Sequence, residues 1–223
     1  MQAEPDPALM LPNRRVVGQR LAERLGHLRG EHPVVLAIPR GGVPVGAELA
    51  RLLDGEFDTI VSLELRLPED PRRVLGAVAE FGGQSMSPSR VDSATHSLSE
   101  IDVELQRLDH EIARRSRLYR ADRSFPDLEG RSVVVVADAV TEPWTPRAAI
   151  RGVWSRLPRR VLFATGVAPR VALIDIRHDV EEAVALRQPE YVTHPADWYR
   201  DLSPLTDDDV RAFFSSLAPS LAH

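Results

Sequence analysis

Potential chemistry in this sequence gathers at two places where an apolar run gives way to small and polar residues. The first is Pro39-Arg40-Gly41-Gly42, which follows the run Val34 to Ile38. The second is the segment from Ala137 to Pro146 (ADAVTEPWTP), which follows four consecutive valines, Val133 to Val136. Each reads as a strand, a short loop and a helix start. In the second, Thr145 is expected to cap a helix and Pro146 to open it, where a missing N–H costs nothing. Free N–H groups and the helix dipole converge at such a point and favour an anion. Gly41 and Gly42 would allow backbone conformations and a close ligand approach that other residues forbid. Arg40, Asp138, Thr141 and Thr145 supply the polar groups. Pro143 and Glu142 work against an anion, because one lacks an N–H and the other brings negative charge.

Other chemistry is thin. The chain has no cysteine, and its 28 basic residues are all arginine, so neither a thiol nor a lysine amine is available as a nucleophile. The seven histidines (27, 32, 96, 110, 178, 194 and 223) show no spacing that sets two ligands on one helical turn, and no metal is expected. Glu181-Glu182 and Asp207-Asp208-Asp209 suit solvated or helix-start positions better than an acid/base pair. Trp198 and Tyr199 offer their rings either to a flat ligand or to core and dimer packing, with packing favoured. Trp144, inside the second loop, would either plug the cleft or meet a partner, and the plug is favoured. A net charge of -5 gives no electrostatic footprint for nucleic acid. No apolar run reaches the length of a membrane span, so no membrane contact and a cytoplasmic location are expected.

The elements that must position these loops alternate. After a lead over residues 1–13, expected to be flexible, one domain spans 14–223. A helix is expected from Arg14 to Leu28, a strand to Ile38, a helix from Pro44 to Leu53 and a strand from Phe57 to Leu63. Two short strands, Leu75 to Glu80 and Gln84 to Met86, flank Gly82-Gly83 as a hairpin. Ser97 or Ser99 would cap a long helix running to Arg120, and strands at Arg160 to Thr165 and Val180 to Leu186 sandwich a short helix opened by Pro169. Ser203 or Thr206 precedes a last helix. This alternation predicts an α/β protein with a parallel sheet covered on both faces.

Taken together, AIPRGGVPVG from Ala37 to Gly46, LGAVAE from Leu75 to Glu80, Leu118-Tyr119-Arg120, the valine strand after Gly130-Arg131-Ser132 and DWYRD from Asp197 to Asp201 resemble the type I phosphoribosyltransferases. The resemblance covers residues 14 to 212. It implies a five-stranded parallel core with a small hood, and an activity that moves ribose 5-phosphate from phosphoribosyl pyrophosphate (PRPP) to a nucleophile, with magnesium.

The same resemblance assigns residues. Arg40, Gly41 and Gly42 fall on the family's pyrophosphate loop. After the central strand the family has two acids, a glycine, a threonine-glycine pair and a final threonine; this chain has Ala137, Asp138, Ala139, Glu142, Pro143 and Thr145. Thr141 completes the loop. Where the family has a basic pair that reaches the PRPP phosphates, this chain has Leu63 and Glu64. Glu142 placed about 4 Å from a phosphate would repel it by roughly 4 kcal/mol at the effective dielectric near a protein surface. Each lost hydrogen bond to a charged group costs roughly 1.5 to 3 kcal/mol. The expectation is therefore a degraded PRPP site on a small-ligand-binding or regulatory subunit, with no cofactor, paired with itself or an active relative. The alternative is an active transferase with magnesium and PRPP, whose phosphate site is rebuilt around another arginine such as Arg66 or Arg147.

Overall fold

The computed structural model describes residues 9–67, 70–92, 98–121 and 123–217. The chain runs through α1 (Arg14–Arg24), β1 (Val34–Ala37), α2 (Gly42–Leu53), β2 (Glu56–Thr59), β3 (Ser62–Leu67), β4 (Asp70–Ala79) and β5 (Gly83–Met86). It continues through α3 (Pro88–Asp92), α4 (Leu98–Arg120), β6 (Ser132–Ala139), α5 (Trp144–Trp154), β7 (Arg160–Val167), α6 (Arg170–Arg177), β8 (Glu182–Arg187) and α7 (Asp207–Leu217). Five strands form a parallel sheet in the order β2-β1-β6-β7-β8, and β3-β4-β5 form a separate antiparallel sheet. No helix among the described residues is long and apolar enough to cross a membrane.

The four valines show why β6 is central. Val134 and Val136 face a core shared with α1 and α2, while Val133 and Val135 face a second core shared with α5 and α6. All four are fully buried. Successive side chains point to opposite faces of a strand, so only an uninterrupted apolar run satisfies both layers.

The expected strand over Phe57–Leu63 is two strands in different sheets. Ile60 still donates to the Ala37 carbonyl at 2.9 Å, but Val61 is taken over by Glu80, whose Oε2 accepts its N–H at 2.8 Å. A buried guanidinium fixes this corner: Arg120 donates to Asp58 Oδ1 at 3.1 Å, Glu80 Oε1 at 2.6 Å and the Thr59 carbonyl at 2.5 Å. Burial raises the Asp58 carboxyl above its ordinary range, against the pull of Arg120. The antiparallel sheet is then clamped on α5 with no room for side chains between backbones. A Cβ on Gly83 would lie 2.1 Å from the Ala148 carbonyl, and one on Gly152 would lie 2.2 Å from that of Glu80.

The termini of the described chain are also placed. Leu11 is fully buried and pairs with Tyr199 in a parallel bridge, donating to the Trp198 carbonyl and accepting from Arg200 N, each at 2.8 Å. Residues 11–13 of the expected lead are thus packed, and the Asn13 side chain caps α1 by accepting from Val16 N at 3.0 Å. That helix ends at Arg24, with a 3-10 turn over Gly26–Leu28 in place of its expected last turn. Ser97 lies outside the described residues, and Ser99 falls within the first turn of α4.

Candidate functional site

Because β1 and β6 are parallel neighbours in register, the loops at their C-terminal ends must meet. Ile38 N donates to the Val136 carbonyl at 2.8 Å and holds the two exits together. Between them lies a cleft of about 210 Å³, lined by Arg40, Gly41, Ala137, Asp138, Ala139, Thr141, Glu142 and Thr145, with Glu64 reaching in from β3. Nine of the thirteen positions singled out in the sequence therefore line one cavity. Of the other four, Gly42 begins α2, Pro143 is buried behind the loop, Trp144 begins α5 and Leu63 packs on the α4 side of β3.

Space, rather than unusual backbone angles, explains the glycine at 41. Its φ and ψ are -62° and -29°, which any residue adopts. A Cβ there would lie 1.9 Å from Asp138 Oδ2, so the loop can rest on that carboxylate only without a side chain. The Pro39–Arg40 peptide bond is cis.

Each acid of the cleft has its own arginine. Asp138 Oδ2 accepts from Arg14 Nε at 2.9 Å, while its Oδ1 accepts from the Ala139 amide at 2.9 Å. Arg14 also donates to the Ser203 carbonyl at 2.7 Å, tying the start of α1 to the C-terminal segment. Glu64 accepts from Arg66 at 2.9 and 2.5 Å. Glu142 takes both amino groups of Arg90, at 2.7 and 2.8 Å, and the Trp144 indole N–H at 2.8 Å. This fork raises the Arg90 pKa above its ordinary value, through the hydrogen bond to Glu142 first. The Arg40 guanidinium is the loosest of the set: it makes no hydrogen bond among the described residues and lies 3.9 Å from Asp207.

Backbone donors remain. Among the described residues, the amides of Thr141, Glu142, Trp144 and Thr145 have no acceptor. Pro143 and Pro146 interrupt the series because proline carries no N–H. The loop is therefore still aimed at an anion, with fewer donors than an unbroken run of amides would provide.

Several expectations need correction. Thr145 does not cap the helix: Pro143, with φ -75° and ψ -11°, already sits at the cap, and α5 winds from Trp144. Trp144 is not a plug, since its ring packs half-buried beside the α5 core and its N–H is spent on Glu142. Glu142 is not a bare charge, because Arg90 neutralises it. Neither arginine named as a substitute is available: Arg66 is held by Glu64 and by the Pro71 carbonyl at 2.7 Å, and Arg147 by Asp179 at 2.5 Å. Tyr199 is core, 3% exposed, and its hydroxyl donates to the Asp138 carbonyl at 2.6 Å. Burial first, and the Asp138 charge second, raise that phenol above its usual range.

Sequence reasoning missed Arg14, Arg90 and Tyr199 as parts of the site. Arg14 is 124 residues from Asp138 and Arg90 is 52 from Glu142, so no local pattern could have joined them. The residues do not fit a protein-held magnesium either. Both oxygens of Asp138 are engaged, and no group of three or more His, Asp or Glu side chains among the described residues could hold a metal.

A parallel sheet with an anion-facing loop at the carboxyl ends of adjacent strands, beneath a small antiparallel hood, defines an α/β protein of the phosphate-binding kind. Comparison with known proteins makes this specific. The family model described as "Phosphoribosyl transferase domain" matches residues 11–188, and the chain belongs to that family. The crystal structure of TT1426 from Thermus thermophilus is 35% identical, with a TM-score of 0.77, covering 93% of this chain and 98% of that one. Two Mycobacterium tuberculosis proteins, named "Putative phosphoribosyl transferase MT0597" and "Putative phosphoribosyl transferase Rv0571c", are each 29% identical over 204 residues. That alignment takes in 92% of this chain and 46% of each relative, so the chain spans about half the length of the curated relatives it matches.

Proposed function

We propose that this chain is a phosphoribosyltransferase-fold subunit that binds a small anionic ligand in the cleft and has lost efficient transfer of ribose 5-phosphate from PRPP. Its role is that of a small-ligand-binding or regulatory subunit, working with a second copy or with an active relative. One observation carries the reading: no carboxylate in the cleft is free to grip a ribose diol. Ala137 offers a methyl group where the family resemblance implies the first acid, and Asp138, the second, is consumed by Arg14 and the Ala139 amide. Freeing Asp138 would leave Arg14 half-buried without its partner, which costs several kcal/mol when a paired charge is stranded (about 3 to 5 for a fully buried pair).

An active transferase with a rebuilt phosphate site is the second reading, and the unpaired amides of Thr141, Glu142, Trp144 and Thr145 favour it. One experiment separates the two. Calorimetric titration with PRPP and magnesium, together with an assay for pyrophosphate release over a panel of nucleobases, is expected to show neither micromolar binding nor turnover. Micromolar affinity with pyrophosphate release would establish the second reading instead. The combined variant Glu64→Lys, Ala137→Asp, Glu142→Thr and Pro143→Gly is expected to regain PRPP binding, since the frame around the loop is intact.

A further inference from the structure

Away from the cleft, the outer face of α6 and the segment after β8 form an open concavity of about 640 Å³. Its floor is apolar: Val171, Ile174 and Tyr191 are 63%, 48% and 64% exposed. The opposite face of α6 is already used, with Ala172, Leu173 and Ile176 buried against the sheet. The outer stripe is thus surplus to the fold, and it sits beside β8, an edge strand of the parallel sheet. The two segments form one unit, because Arg170 N donates to the Pro189 carbonyl at 3.0 Å.

Charge identifies what covers this stripe. Arg170 and Glu190 both border the concavity, yet they form no ion pair with each other. The Arg170 guanidinium has no carboxylate partner among the described residues, and Glu190 engages only the neighbouring Tyr191 hydroxyl, whose pKa it raises. A face that carries an unused cation and an acid on the margins of an apolar stripe is complementary to itself under a twofold rotation. An apolar centre with a polar margin is also the anatomy of a protein interface, whereas a small-molecule pocket needs polar groups converging on its floor.

We propose that this face pairs two copies of the chain about a twofold axis, stacking Val171, Ile174 and Tyr191 on their counterparts and setting Arg170 of one copy against Glu190 of the other. The patch is smaller than the roughly 800 Å² per partner of a standard stable interface, so the dimer is of micromolar strength and depends on concentration. Nothing in the pairing depends on what the cleft binds.

Sedimentation velocity on the full chain, from about 1 to about 100 µM, follows the monomer–dimer equilibrium over the affinity range at issue. Ile174→Asp is expected to weaken association at least about tenfold, as one desolvated charge at an apolar centre requires. Arg170→Glu and Glu190→Arg should each weaken it, and the double reversal should restore it to within about threefold, because the pair is then remade in the opposite sense. All three sites are exposed, so unchanged thermal midpoints will certify the fold; should Ile174→Asp aggregate, Tyr191→Ser replaces it. A chain that stays monomeric throughout the range overturns the proposal. So does a dimer indifferent to Ile174→Asp, or one that the double reversal fails to rescue.

Discussion

Replacing Glu142 by threonine should raise the affinity of the cleft for PRPP, and the structure sets the size of the gain. In the native chain the Arg90 guanidinium spends both amino groups on Glu142, at 2.7 and 2.8 Å. A ligand phosphate cannot use that cation without breaking the fork. With threonine at 142, Arg90 is free to offer two charge-assisted hydrogen bonds, each worth roughly 1.5 to 3 kcal/mol when shielded from water. The Arg90 and Glu142 side chains are 37% and 32% exposed, so solvent screening removes a large part of this gain. A net gain of about 1.5 to 3 kcal/mol remains, which at about 1.4 kcal/mol per decade is roughly 10- to 100-fold in affinity. Calorimetry with magnesium and PRPP measures it directly. Arg90→Ala serves as the counter-variant, since it strips Glu142 of its partner and should lower affinity below native. A Glu142→Thr chain with a native thermal midpoint and an affinity within a factor of about two of native would refute the reasoning, because Arg90 would then have no access to the ligand.

Two further outcomes concern stability. Tyr199→Phe keeps the buried ring but leaves the Asp138 carbonyl without its donor, so equilibrium denaturation should report a loss of about 1 to 3 kcal/mol. Acid should weaken the fold through Glu48, whose pKa is lowered from 4.5 to about 2, first by the hydrogen bond from Arg51 and then by that from Gln19. A depressed carboxyl contributes stability above its unfolded value and loses it as pH falls towards the folded one. Denaturant midpoints should therefore drop between about pH 4.5 and about pH 2 in the native chain and drop less in Glu48→Gln; equal slopes would contradict the assignment.

The parallel core was legible because its signal is local. Four adjacent valines admit no other solution than a strand buried on both faces, and Gly82-Gly83, with Gly82 at φ 72°, marks the turn between β4 and β5. The switch of sheets after Thr59 was not legible, because an apolar run looks the same in either sheet and the decision is made by Glu80 and Arg120 from outside it. The helix start was misjudged for a similar reason. Proline at the first helical position is a sound local rule, yet the Glu142 carboxylate, gripped by Arg90 and the Trp144 indole, pulls the turn tight from Pro143. In the cleft, residue types showed which groups were present but not their charge state as an ensemble. Every cleft acid is matched by an arginine from another part of the chain or strand, and pairing between distant elements leaves no periodic trace.

That pairing also bears on which ligands the cleft can prefer. A sugar phosphate is gripped at two ends, by donors on the phosphate and by carboxylates on the hydroxyls. Here the donors at one end survive as unpaired amides, while at the other Ala137 is inert and Asp138 is occupied. A ligand's hydroxyls therefore contribute almost nothing. Each neutral hydrogen bond that is not made forgoes about 1 kcal/mol, so ribose 5-phosphate should bind no more than a few-fold tighter than glycerol 3-phosphate, which lacks the ring diol. Competition between the two for the same cleft, read by calorimetric displacement, tests the claim. A preference for ribose 5-phosphate above about tenfold would mean roughly 1.4 kcal/mol of diol recognition, and Asp138 would have to leave Arg14 to supply it.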